Sequence, residues 1–485
     1  MNFYQNIKNL FRHSAIYTIA SVLQRFIGFA MLPFLTDPRY VANQASFGDY
    51  SLFYTFIAFS NVFFLLGMDS SFVRFGALQS YSQKRTFSTA YFAVVLSGIF
   101  ISIILYLSKD ELSRLIFLDA SYSYLILLAI AILLTDALCN LPYILLRIQE
   151  RSILFSVIKI ARFTIELGLN IYFVVFLKYG WEGILYGNLI AAGINALILL
   201  MILYREFLPV FDVGLLKELY GFAIPLIPNS IAFLLIEQVD RLIVPRILDK
   251  TDLGIYAANY RFGMIIGMLV YAFRNAWQPF FMKTSEQEDA KSVFAGIFRL
   301  YSSLLAGLLV VASLFIGPFI RLKLPGLPAF MNESYWSGIE IIPVLLSAYF
   351  FYGIYVFFSL GVYIQNKSRW IGLITLAGAG LNIAMNILLL EDIGIFAAAL
   401  ATLGAYVLMA VLLTGYNQSI YRLPIHWNHF IKLLVISLLS LLSIYLLPDD
   451  IIYRLLIFVA YLIAIYSFKI LTMQQAREFI GRLRR

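Results

Sequence analysis

Apolar residues run through this chain in long blocks of membrane-spanning length, separated by short polar connections. About twenty residues of helix cross the hydrocarbon core of a bilayer. Blocks of that length predict spans at 14–36, 47–72, 87–107, 122–146, 153–177, 184–204, 218–246, 253–281, 293–317, 338–361, 369–390, 394–416, 428–447 and 451–471. That makes about fourteen transmembrane helices in an all-α polytopic protein. The longest connection, from Pro318 to Ser337, is too short to hold a soluble domain. The first block is long enough to span and carries Arg25, unlike the core of a cleavable signal.

Composition agrees with the pattern. Hydrophobic residues make up 61% of the 485 positions, charged residues 13%, and mean hydropathy is +0.85. A soluble protein is excluded. A single cysteine, Cys139, excludes an internal disulfide and a cysteine-built metal site. With the N-terminus inside, lysine and arginine in the inner segments (Lys84, Arg85, Arg205, Lys217 among them) outnumber those outside by roughly two to one. Both termini are expected in the cytoplasm. The net charge of +9 is mostly this bias, and the GRLRR tail reads as an anchor against anionic headgroups.

The chain also repeats itself. Phe47-Gly48-Asp49-Tyr50 answers to Leu253-Gly254-Ile255-Tyr256, and Ile148-Gln149-Glu150-Arg151-Ser152 to Ile364-Gln365-Asn366-Lys367-Ser368. Pro33 answers to Pro245, and Asn170 to Asn386. The shared order and offsets point to a duplicated six-helix unit. An even number of crossings makes the halves parallel repeats, an arrangement that places a site between them. The expected division is a lobe at 1–208, a second at 209–420, and two added helices with a basic tail at 421–485. The segment Arg205 to Lys217, with Glu206, Pro209 and Asp212, joins the halves.

The Gln24-Arg25-Phe26-Ile27-Gly28-Phe29 run with Pro33, the Phe-Gly-x-Tyr start and the Ile-Gln-x-Arg/Lys-Ser junctions resemble those of polysaccharide and lipid-linked oligosaccharide flippases. These are the Wzx-like, O-antigen type of the multidrug/oligosaccharidyl-lipid/polysaccharide exporter superfamily. The resemblance covers essentially the whole chain. It implies two six-helix lobes, no catalysis, and alternating-access export of an undecaprenyl-diphosphate-linked glycan across the bacterial cytoplasmic membrane. Membrane lipids and other polysaccharide-assembly membrane proteins are the further candidate partners, with no nucleic acid. No cofactor is implied, and H+ or Na+ is the candidate coupling ion. The first span lacks the closely spaced Arg-Asp pair that some lipid II flippases carry, which disfavours a peptidoglycan substrate.

Charges inside spans are costly and so mark candidate sites. Arg25 lies near the midplane, about 16 Å along its helix. It serves an anionic ligand or is tied up in a helix–helix ion pair. Glu237, Asp240 and Arg241 fall at i, i+3 and i+4, one face of a helix. If Pro33 and Pro245 correspond, Glu237 matches Arg25 in depth. Glu237, or Asp240 in its place, is then expected to neutralise Arg25 or Arg241 when no substrate is bound. Arg25, Arg241, Arg261 and Arg274 are the candidate substrate cations, because guanidinium grips a diphosphate bidentately. Lys159, Arg162 and Glu166, at i, i+3 and i+7, form a second polar face or an internal ion pair. Arg74 and Arg299 are expected to snorkel, Asp69 to pair with Arg74 or cap a helix, and Asp136 has no assigned role. Pro225 and Pro228 predict a bend.

Other chemistries fall away. There is no G-x-x-x-x-G-K-[ST] phosphate loop. His426 and His429 flank Trp427 in a short loop, where interfacial anchoring outweighs metal binding. Glycines 372, 378 and 380 read as close helix packing. Three functions remain: the flippase, a cation-coupled drug exporter of the same superfamily, and a membrane enzyme of polysaccharide assembly. An exporter would put unpaired acids in an apolar cavity. An enzyme would need a larger outer loop than this chain has, and the Asp110-Glu111 pair reads as a solvated helix end.

Overall fold

The computed structural model describes residues 26–77, 81–322, 329–448 and 450–468. It is all-α. Sixteen helices organise the described residues: α1 (Gln44–Leu65), α2 (Met68–Ala77), α3 (Gln83–Leu107), α4 (Lys109–Phe117), α5 (Ser123–Ile148), α6 (Ser152–Ile171), α7 (Glu182–Leu203), α8 (Val213–Ala223), α9 (Ile227–Ile247), α10 (Lys250–Thr284), α11 (Ala290–Arg321), α12 (Ile341–Ile364), α13 (Arg369–Ile393), α14 (Ile395–Ile420), α15 (Trp427–Leu446) and α16 (Ile451–Ser467). Among the described residues ten spans are long and apolar enough to cross a membrane, or eleven if the pair α1 and α2, bent by 44°, counts as one. The protein is therefore a polytopic membrane protein. Predicted spans 153–177 and 451–471 are present as α6 and α16; α6 is less apolar through its three charges, and α16 is short. Most of the first predicted span, Arg25 included, lies outside the described residues. Its end is a helix broken at Met31, with Pro33 in the first turn of Leu32–Leu35.

Local chemistry sets the element ends. The Asn43 side chain accepts from Ser46 N at 2.9 Å and caps α1. Leu66 and Gly67, at φ 47° and 70°, end that helix and produce its bend. Pro225 and Pro228 interrupt the predicted span at 218–246, where a 3-10 turn, Ile224–Leu226, separates α8 from α9. The repeated junctions fold alike. Glu150 and Asn366 both take left-handed backbone, at φ 55° and 53°. Arg151 N then reaches Leu146 O at 2.9 Å, and Lys367 N reaches Val362 O at 2.8 Å.

The chain forms two compact units, Met1–Ala257 and Ala258–Arg485. In the first, α3 packs on α5, α5 on α7, and α7 on α6. In the second, the order recurs as α11 on α12, α12 on α14, and α14 on α13, with α15 and α16 against α11. The most apolar stretch of α12 is 94% buried and forms the middle of its unit, whereas that of α15 is 22% buried and leaves an apolar surface for lipid.

Of the glycines expected at close helix packing, Gly378 is buried and Gly380 faces open space. A Cβ on Gly380 would meet nothing within 4 Å. On Gly263 and Gly267 it would come within 2.4 Å of Leu345 and 2.7 Å of Tyr349, a G-x-x-x-G face against α12. The two repeat glycines meet as well: Cβ atoms on Gly48 and Gly254 would lie 2.3 Å from Lys250 O and 1.9 Å from Gln44 O. Only glycine lets the starts of α1 and α10 touch there. The segment joining α7 to α8 is strapped to the start of α3. Arg85 pairs with Asp212 at 2.8 Å, Lys84 with Glu206 at 3.5 Å, and Phe207 packs on Phe87 and Tyr91.

Candidate functional site

Within the first unit, α1, α2, α5 and α6 enclose a cavity of about 600 Å³. Its polar wall comprises Asn61, Asp69, Asp136, Arg147, Lys159 and Arg162. The spacing that put Lys159, Arg162 and Glu166 on one face of α6 is what brings the first two to the cavity and holds the third behind them. Arg162 is the anchor. Its Nη2 donates to Asp136 Oδ1 at 2.7 Å, and its Nε lies 3.6 Å from Glu166 Oε2. Arg162 and Glu166 are almost fully buried, and the Asp136 side chain is 33% exposed. In an apolar bundle such charges persist only when paired.

Lys159 is held differently. Its ammonium sits 4.1 Å from the centre of the Tyr143 ring. Tyr143 in turn donates to Asn195 Oδ1 at 2.6 Å, and Asn195 Nδ2 donates to Cys139 Sγ at 3.0 Å. The buried Asn140 Oδ1 in the cavity wall has no hydrogen-bond partner among the described residues. The cavity wall therefore presents three cations against two carboxylates, with one guanidinium shared between acids. An incoming phosphate meets the Lys159 ammonium and competes with Asp136 for the guanidinium.

The sequence singled out the face on α6 but left Asp136 unassigned, and the pairing it makes was the missed half of this site. Asp69, expected to pair with Arg74 or cap a helix, stands in the cavity wall. Arg74 is exposed and lies 4.5 Å above the Phe222 ring.

The Glu237, Asp240 and Arg241 face forms a second buried cluster in the same unit. Arg241 N donates to Asp240 Oδ1 at 2.8 Å, and Arg241 Nη1 lies 3.6 Å from the same atom. Arg241 also donates to the Glu237 carbonyl and to Gln238 Oε1, while Tyr256 donates to Asp240. Thr55 links Gln238 to α1 at 3.2 Å. Arg241 is thus satisfied largely within its own helix. Arg25 lies outside the described residues. Arg261 and Arg274 belong to the second unit, where Arg274 Nη1 is 3.4 Å from the Tyr352 hydroxyl.

At the other ends of these helices, beside the Gly48–Gly254 contact, Lys250 Nζ pairs with Asp49 Oδ1 at 2.7 Å. The Tyr122 hydroxyl donates to Asp49 Oδ2 at 3.1 Å, and Lys250 lies 5.1 Å from the Tyr122 ring centre.

Comparisons with known proteins place this architecture. A family model described as polysaccharide biosynthesis protein matches residues 42–325. A protein of the Lsg locus of Haemophilus influenzae is 20% identical over 289 residues, which are 58% of this chain and 67% of the relative. Among solved structures, the lipid II flippase MurJ in an inward closed conformation is similar at a TM-score of 0.68 with 18% identity, covering 94% of this chain and 98% of that one. An inward-facing multidrug resistance transporter of the MATE family in the MOP superfamily is similar at 0.59 with 13% identity, covering 83% and 94%. The Vibrio cholerae MATE transporter VcmN in its bent form gives 0.58 with 14% identity, covering 86% and 97%. At such identities the likeness shows the fold, which is that of these transporters.

Proposed function

The chain belongs to the polysaccharide biosynthesis protein family, and on that premise we propose that it is a flippase for a lipid-linked glycan. Its substrate in this reading is an undecaprenyl-diphosphate-linked oligosaccharide, carried across the bacterial cytoplasmic membrane by alternating access for O-antigen, capsule or exopolysaccharide assembly. One observation carries the reading. Lys159 and Arg162 line one cavity in a bundle of apolar helices, with Arg147 exposed in the last turn of α5, a costly arrangement that suits a diphosphate. Arg25, Arg241, Arg261 and Arg274 are the further cations assigned to the substrate path, and Glu237 and Asp240 compensate their charge between cycles. In this reading the moving lobes are 1–208 and 209–420, followed by the addition 421–485, with both termini cytoplasmic. The joint at Gly48, Gly254, Asp49 and Lys250 then holds the lobes together at their outer ends, and its opening releases the glycan.

A deletion strain tests the proposal. Lipid-linked glycan is expected to accumulate inaccessible to periplasmic sugar-modifying enzymes, and Lys159→Ala is expected to leave the protein inserted but unable to restore export. A second reading, a cation-coupled multidrug exporter, draws on the likeness to MATE transporters. Asp136 and Glu166 are engaged by Arg162, and cations line the same cavity, which supports the flippase. Resistance to cationic dyes without a glycan phenotype would decide for the exporter.

A further inference from the structure

A second cavity lies in the other unit, between the first turns of α11, the loop after α14 and the start of α15. Its volume is about 430 Å³, and its polar wall is Ser292, Arg299, Ser302, Ser303, His426 and His429. None of its lining residues is acidic; the acids of the neighbouring turn, Glu286, Glu288 and Asp289, stand outside it. Trp427 holds the loop in place by lying flat on Phe358, with ring centres 6.2 Å apart, and against Phe298 at 6.3 Å. Leu423 is buried, and its N–H is held by Gln418 Oε1 at 2.9 Å. The cavity is therefore built by packing before any ligand arrives.

Its chemistry favours an anion. The two imidazoles lie 6.0 Å apart, and the buried His429 Nδ1 has no hydrogen-bond partner among the described residues. The helix α15 starts here with no side-chain cap and no acid in its first turn, so its N-terminal dipole adds to the field. Lys291 lies 5.1 Å from the Tyr421 ring centre, and Arg422 and Lys432 flank the start of α15 in the sequence.

Its position favours a lipid. Arg299 is nine residues into α11, about 14 Å from the helix start. A helix of 32 residues exceeds the thickness of the hydrocarbon core, so this depth falls near the headgroups. Beyond the cavity, α11 and α15 expose Leu304, Val311, Ile431 and Leu438, surface that acyl chains cover in a bilayer.

We propose that this cavity binds the phosphodiester head group of an anionic membrane phospholipid, gripped by Arg299, His426 and His429. The inference is independent of what the protein transports.

The test uses the full chain in detergent, with native mass spectrometry of bound dioleoylphosphatidylglycerol and dioleoylphosphatidylcholine, and inorganic phosphate as competitor. Wild type is expected to retain the anionic lipid about tenfold better than the zwitterionic one. Arg299→Gln, and separately His426→Gln with His429→Gln, should each reduce that preference towards parity. The histidine pair serves if the arginine variant does not fold. An unchanged preference in the histidine variant, or equal retention of the two lipids by wild type, overturns the proposal. Displacement of the anionic lipid by millimolar inorganic phosphate would assign the cavity to a soluble anion and overturn the lipid.

Discussion

Methionine in place of Arg162 keeps an unbranched side chain and removes the charge, leaving Asp136 and Glu166 without their shared cation. Arg162 and Glu166 are 7% and 8% exposed, so neither can turn to water. Breaking a buried pair by removing one partner costs about 3–5 kcal/mol. Asp136, a third exposed to the cavity, is partly rehydrated, which puts the expected loss at the low end, about 3 kcal/mol. Replacing all three charges gives a different outcome. Arg162→Met with Asp136→Asn and Glu166→Gln removes the paired charges together instead of stranding two acids, so the expected loss is smaller, about 1 kcal/mol. Thermal unfolding of the purified protein measures the first quantity, and restoration of glycan export in a deletion strain measures the second. The single variant should be unstable and inactive, the triple variant stable and inactive. Wild-type export by the triple variant would show that these charges serve only the fold. A single variant as stable as wild type would refute the ion pairs themselves.

Gly254→Val would place a Cβ 1.9 Å from the Gln44 carbonyl, so α1 and α10 must part; export should fall at least tenfold, with increased thiol labelling of cysteines placed at Gln44. Asp49→Lys and Lys250→Asp should each impair export, and the double exchange should recover most of it, read by the same complementation. The backbone N–H of Leu215, with Arg85 behind it, holds the Asp212 carboxyl below the usual carboxylate range. The stability it confers is present above the ordinary carboxylate pKa of about 4 and is lost as pH falls below it. Asp212→Asn should therefore lower the melting temperature at pH 7, by an amount that shrinks as the pH is taken down through the carboxylate range.

Which parts of this protein can be read without coordinates follows from the range of the interactions that set them. Spans depend on run length against bilayer thickness, a local quantity, and α3, α5, α7 and α10 through α15 lie where the apolar blocks put them. The repeated junctions are also local. Five residues determine one turn, and Glu150 and Asn366 adopt it identically though 216 positions apart. The face bearing Lys159, Arg162 and Glu166 follows from helical period alone. Its partner does not. Asp136 sits on α5, and only the packing of α5 against α6 brings it to 2.7 Å from Arg162. The contact between Gly48 and Gly254 likewise pairs two matching signatures whose meeting no spacing encodes. Gly380 faces open space whereas Gly263 and Gly267 lie against α12, because a glycine marks a possible close approach and the rotation of each helix about its axis decides which one is used. An apolar run of spanning length is compatible with every such rotation. The tertiary structure chose among them by burying the few charges where they could be paired.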